Sequence, residues 1–155
     1  MKRYISEKED KAYTYMLKIL NGIGGTKLKY NWLITNIEAY PENNPKALKL
    51  IKENNYLFLS TKELMELLNE NDFQWIWAVF SAIPECYNIE EIVKYNLPFA
   101  DGNYGIHKDE PIIQHPLAEI EIDVEDSSSV TIVTKDNQIA DLFKKIYPNA
   151  KEDWR

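Results

Sequence analysis

Two groups of ionisable residues have a spacing that could support chemistry. The first group, His107, Asp109 and His115, lies in one short stretch, and imidazoles and carboxylates are common ligands of divalent metals. The spacing matches neither H-x-x-x-H nor H-E-x-x-H, and the chain has 2 histidines in all. One hypothesis is therefore a small metal-dependent or small-molecule-binding enzyme that uses these residues as ligands or bases.

The second group is a row of four carboxylates, Glu119, Glu121, Asp123 and Glu125, which alternate with Ile120, Ile122 and Val124. A period of two places all four on one face of a β-strand. Paired carboxylates perform acid–base chemistry when burial separates their pKa values, whereas a row that faces water does not. We interpret the row as a solvent-facing strand surface that discourages edge pairing of sheets and could bind a basic protein partner.

The sequence contains no recognisable motif for a catalytic nucleophile. The single cysteine, Cys86, has no histidine base close to it in the chain, and no G-x-S-x-G occurs. The sequence therefore predicts no catalytic residue, no cofactor and no metal site outside the loop that carries the histidines.

The longest apolar stretch of the chain predicts the strand around which the fold is organised. It runs from Asp72 to Pro84 and is rich in aromatic and β-branched residues. Because it is apolar on both faces, we expect an interior strand that is covered on both sides, with Trp75 and Trp77 on the same face.

The remaining pattern predicts further strands, at 30–40, 117–125 and 130–134, together with several capped helices. An S-x-x-E capping box at Ser6 and Glu9 predicts a first helix, and a second box at Ser60 and Glu63 predicts another. Asp136 is expected to cap the last helix. The fold class predicted is α+β, a single domain over residues 1–155 with a mostly antiparallel sheet of about four or five strands packed by helices.

The segment from Pro98 to Pro116 has no regular pattern. It contains three prolines, two glycines and both histidines, which is typical of a long surface loop or flap. Long loops carry function more often than the elements that support them.

Composition limits the classes of partner. The 155 residues are 45% hydrophobic and 28% charged, with a formal net charge of −7. Nucleic acid is a poor partner for such a chain, since phosphate binding needs a cationic surface. No apolar run is long enough for a membrane span or a signal peptide, and a single cysteine suits a reducing compartment, so we expect a cytoplasmic protein.

Several segments resemble a bacterial family of small uncharacterised proteins, a domain of unknown function. They are Tyr30-Asn-Trp-Leu-Ile, the stretch from Ser60 to Leu68 with the following Asn-Asp-Phe-Gln-Trp-Ile-Trp-Ala, the stretch from Ile120 to Ser128, and Lys135-Asp-Asn-Gln-Ile. The resemblance implies a bacterial cytosolic protein and brings no activity, cofactor or functional residue.

The hypothesis that the sequence favours is a non-enzymatic protein-interaction module. The negative charge, the acidic row and the lack of a catalytic motif motivate it. Its sharpest form, by analogy alone, is a protein that neutralises a basic toxin, as immunity proteins do. The alternative is the small metal-dependent or small-molecule-binding enzyme that uses the loop 98–116.

Overall fold

A computed structural model describes residues 1–7, 14–108 and 110–152. The strands are β1 (Lys2–Glu7), β2 (Tyr30–Tyr40), β3 (Leu57–Ser60), β4 (Gln74–Pro84), β5 (Ile120–Glu125), β6 (Ser129–Thr134) and β7 (Lys151–Glu152). The helices are α1 (Met16–Ile23), α2 (Pro45–Glu53), α3 (Thr61–Glu70), α4 (Ile89–Ile92) and α5 (Asn137–Ile146), with a 3-10 turn at Gly25–Lys27.

The strands form one sheet in the order β3-β2-β4-β5-β6-β1-β7, and every neighbouring pair is antiparallel. The α+β class is therefore confirmed. The predicted number of about four or five strands is too low, because the described residues contain seven. The additional strands are β1, β3 and β7; β3 and β7 have 4 and 2 residues, and β1, with 6, does not alternate between apolar and polar residues.

Strand β4 lies inside the sheet, between β2 and β5, as its apolar sequence predicts. The register of its pairing with β2 shifts twice between Thr35 and Ala39. As a result Trp75 packs edge-on against Phe80 on the helix side, with 4.9 Å between ring centroids, whereas Trp77 packs on the other side. The expectation that Trp75 and Trp77 share a face was wrong, since an irregularity in the ladder breaks the period of two.

Side-chain caps start most of the helices where the sequence predicts them. Ser60 and Glu63 form the reciprocal capping box of α3, with 3.1 and 3.0 Å between the paired atoms. The Asp136 carboxylate accepts from the Gln138 N–H at 2.8 Å at the start of α5. Each cap satisfies backbone donors that the first helical turn leaves free.

The capping box predicted at Ser6 is wrong. Ser6 lies in β1, opposite Val130 of β6, and the first described helix begins at Met16. Glu9 lies outside the described residues. Pairing with β6, which is distant in sequence, overrides the local S-x-x-E pattern here.

The two faces of the sheet are covered differently. Helices α1, α3 and α5 cover one face, and the largest cluster of buried apolar side chains lies beneath them. Ile113, Ala100 and Ile106, from the predicted loop, pack on the other face. We call residues 98–116 the cap segment; its described residues contain no helix or strand.

Candidate functional site

Strand β5 divides its residues between the two sides of the sheet. Ile120, Ile122 and Val124 are fully buried on the helix side. Glu121, Asp123 and Glu125 of the acidic row point to the cap side, yet Glu121 is 1% exposed and Asp123 is 0% exposed. The prediction that the row faces water is wrong for these two, because the cap segment covers this face of the sheet.

Neighbouring strands bring further polar side chains to the same buried layer. In the antiparallel register Ser81 of β4 lies opposite Glu121, and Thr131 of β6 lies opposite Asp123. Residues that are directly opposite in such a ladder share a face. Neither the hydroxyl of Ser81 nor that of Thr131 has a hydrogen-bond partner.

Glu121 is held by the cap segment. The backbone N–H of Gln114 donates to Glu121 Oε2 at 2.6 Å, and Gln114 Nε2 donates to Oε1 at 3.1 Å. The same amide side chain bonds both the N–H and the C=O of Phe99, at 3.0 and 3.1 Å. Burial raises the pKa of Glu121, and the bonds from Gln114 oppose that increase because they stabilise the carboxylate.

Asp123 has the opposite environment. Its side chain is fully buried, and among the described residues no N–H or O–H group donates to either carboxyl oxygen; its one side-chain hydrogen bond is the one that it shares with Glu121. Burial raises the pKa of Asp123 well above its usual range, and the charge of Glu121 raises it further. Since Gln114 donates to Glu121 and no such donor reaches Asp123, Asp123 is the member of the pair that keeps its proton to the higher pH.

A buried arginine partly compensates the acidic pair. Arg3 of β1 is 2% exposed and lies opposite Val133, the residue that faces Glu121 across the next ladder. Its Nη1 donates to the carbonyl oxygen of Ile106 in the cap segment at 2.7 Å. The charge of Arg3 lowers the pKa of Asp123 but does not outweigh burial and the neighbouring carboxylate.

These groups border a cavity of about 200 Å³ between the sheet and the cap segment. Its buried wall includes Arg3, Glu121, Asp123 and Val133. Gly105, Glu110 and Ile112 also line it, and all three are exposed. The cavity thus joins a buried carboxyl pair to the protein surface.

The two predicted histidine ligands occupy separate places. His107 Nε2 donates to both carboxylate oxygens of Glu125, at 2.7 and 3.0 Å. His115 is fully buried, where its Nε2 donates to the carbonyl of Ile92 at 2.9 Å and its Nδ1 accepts from the Leu117 N–H at 3.2 Å. These two partners give His115 a structural role, because both of its ring nitrogens are hydrogen-bonded to the backbone.

Metal ligation finds no support in this arrangement. Among residues 1–7, 14–108 and 110–152, no group of three or more His, Cys, Asp or Glu side chains could hold an ion. Asp109, the third residue of the predicted ligand loop, lies outside the described residues.

Glu119, the first member of the acidic row, belongs to a different surface. The Tyr30 hydroxyl donates to its Oε2 at 2.7 Å, and burial followed by this bond raises the pKa of Tyr30. The pair borders a shallow concavity of about 680 Å³ beside Lys135 and Asp136. The row is therefore not one continuous surface: only Glu121 and Asp123 share the cavity.

Sequence reasoning missed the residues that attach the cap segment to β2. Asn36 has a φ of 53°, and its Oδ1 accepts from the N–H groups of Ala100 and Asp101, both at 2.9 Å. Thr35 Oγ1 donates to the carbonyl of Pro98 at 2.7 Å. Asparagine tolerates the left-handed region better than most residues, but nothing in the sequence indicates that Asn36 adopts it.

Comparison with known proteins adds no assignment. No family model, curated protein or solved structure matches the chain. Within the described residues, no helix is both long and apolar enough to cross a membrane. The resemblance to a family of small uncharacterised bacterial proteins stays a prediction.

Proposed function

We propose that this protein binds a small polar molecule in the cavity between the sheet and the cap segment. The observation that carries the proposal is Asp123, a fully buried carboxyl that lines the cavity and receives no hydrogen bond from a donor of the protein. Burying an acceptor that no donor reaches costs about 1–3 kcal/mol, and a bound molecule that donates to it would offset this cost.

The size of the cavity limits the ligand. Pockets for drug-sized molecules have volumes of roughly 300–1,000 Å³, and this cavity measures about 200 Å³. A ligand of a few non-hydrogen atoms fits inside, or a larger molecule can insert one end group past Gly105 and Ile112.

The carboxyl pair also supports the enzymatic alternative in a changed form. A protonated carboxyl beside an ionised one can serve as general acid and general base towards a bound molecule. Such an enzyme would use Asp123 and Glu121, whereas His107 and His115 are committed to Glu125 and Ile92.

Titration with small polar fragments, followed by amide chemical shifts, tests the proposal. Binding fragments should shift the amides of Ile106, Gln114 and Asp123 in the unmodified protein. Val133→Phe, which fills the cavity, should abolish these shifts, and Val133→Ala, which enlarges it, should retain them. If no fragment in a chemically varied set shifts these amides in the unmodified protein, the proposal is wrong.

A second candidate function is a protein-interaction module. The surface that favours it is apolar and is separate from the acidic row. Six large apolar side chains are exposed in or next to the cap segment: Val93, Tyr95, Leu97, Phe99, Tyr104 and Ile112. Tyr104 is 81% exposed and Ile112 is 65% exposed. Exposed apolar patches often mark protein contacts. A basic partner, by contrast, would reach Glu121 and Asp123 only by displacing the cap segment.

A further inference from the structure

We propose that the group recognised in this cavity is a small organic cation, an ammonium or amidinium, which replaces the proton of the buried carboxyl pair. This inference rests on the proposed function and names its ligand class. It starts from the carboxyl of Asp123, which lines the cavity at 0% exposure and receives no hydrogen bond from a protein donor.

The buried wall of the cavity contains hydrogen-bond acceptor sites that no donor of the protein occupies. No protein donor reaches either oxygen of Asp123, and Glu121 accepts one bond from Gln114 at each oxygen besides the bond that it shares with Asp123, although a carboxylate has about four acceptor sites. Arg3 donates to the carbonyl of Ile106 through Nη1, and none of its N–H groups reaches an oxygen of Asp123. A ligand must therefore bring donors, and an ammonium or amidinium brings three or more.

The charges around Asp123 favour the same class. Glu121 and Glu125 share its strand, Arg3 lies on β1, and His107 and Glu110 come from the cap segment. His107 is hydrogen-bonded to Glu125. At the cavity, Arg3 lies among the carboxyl groups of Glu121, Asp123 and Glu110. With all three ionised, the carboxylates outnumber this cation, and a bound cation would restore the balance.

The exchange conserves charge. Without ligand, Asp123 carries a proton beside the ionised Glu121. When the cation enters, Asp123 releases that proton to solvent, and the resulting carboxylate accepts N–H bonds from the ligand. One cation enters for each proton that leaves, so the affinity for a cation should increase with pH while Asp123 remains protonated in the free protein.

Three probes of nearly equal shape separate the possibilities: acetamidinium, acetamide and acetate. Their affinities are measured by amide chemical shifts at about pH 6 and about pH 8. Acetamidinium should bind most tightly and should gain up to about tenfold in affinity per pH unit, because one proton is released. Acetamide should show no such dependence.

Two carboxamide variants assign the effect to one residue. Asp123→Asn should bind acetamidinium at least about tenfold more weakly and should lose the pH dependence. Glu119→Gln, directly before β5 and outside the cavity, should retain both. The pH dependence in the unmodified protein tests the inference even if Asp123→Asn does not fold.

The outcomes distinguish this inference from the proposal beneath it. If acetate binds in the cavity, or if acetamide binds as tightly as acetamidinium, the cation class is wrong while the cavity remains a ligand site. If acetamidinium does not bind but other fragments do, the cation class is again wrong while the cavity remains a ligand site. If nothing binds at all, the proposed function is wrong as well.

Discussion

Single residues determine the chemistry of the cap-side layer. Glu121 and Asp123 are two residues apart on one strand, and both are buried. They differ in their donors, because Gln114 gives two hydrogen bonds to Glu121 and none reaches Asp123. Burial raises the pKa of both carboxyls, and the bonds from Gln114 lower that of Glu121, so Asp123 keeps its proton to the higher pH.

The raised pKa of Asp123 predicts how stability depends on pH. From the ordinary value of 3.8 up to the raised pKa, the folded state binds a proton that the unfolded state has lost. Stability should therefore fall with increasing pH in this window, by up to about 1.4 kcal/mol per pH unit from this group.

Urea unfolding of Asp123→Asn at several pH values measures this contribution. The variant lacks the titrating group, so the free energy of unfolding of the unmodified protein should fall relative to that of Asp123→Asn as pH increases. Glu119→Gln, measured in parallel, should keep the unmodified slope. Identical slopes for Asp123→Asn and the unmodified protein would mean that Asp123 is ionised in the folded state.

At the scale of elements, several side chains attach the cap segment to the sheet, among them Thr35 and Arg3 through the carbonyls of Pro98 and Ile106. Asn36 of β2 binds the Ala100 and Asp101 amides, Gln114 binds Glu121, and His107 binds Glu125. Since the described part of the cap segment has no helix or strand, these contacts carry much of its order.

Replacing Asn36 should loosen the start of the cap segment. Asn36→Gly keeps the left-handed backbone available but removes two hydrogen bonds, so the Ala100 and Asp101 amides should exchange with solvent about 10- to 100-fold faster. Asn36→Asp retains an acceptor oxygen and should keep the protection. Hydrogen exchange followed by NMR measures both variants, and equal protection in Asn36→Gly would show that Asn36 is not an anchor.

The whole molecule has one face of the sheet under helices and the other under a loop with apolar residues on its outer surface. If this outer surface binds a protein, a photo-crosslinking residue at position 104 should capture the same protein reproducibly, and Ile112→Ser should reduce the yield severalfold. A crosslinker at Tyr40, which is 56% exposed elsewhere, is the control.

Salt dependence separates this surface from the acidic row. Apolar contacts persist as salt increases, whereas attraction between exposed charges is screened. Capture that is lost at high salt, or that is equal from positions 40 and 104, would contradict an apolar docking surface on the cap segment.

Much of the scaffold could be predicted because its signals are local. The bounds of β2, the capping box at Ser60 and the alternation of β5 follow from neighbouring residues. The candidate site could not be predicted in this way. Alternation places Asp123 on one face of a strand, but the fold of the cap segment, which has no regular pattern in the sequence, decides whether water reaches that face.

The alternation of β5 has a consequence for how this protein can change. The side chains of its even-numbered residues pack in the core beneath the helices, and those of residues 121 and 123 line the cavity. Substitutions at the odd positions can therefore alter what the protein recognises while the hydrophobic core stays intact. A library that varies these two positions together with Gln114 would produce new specificities on an unchanged framework, and natural divergence can follow the same route.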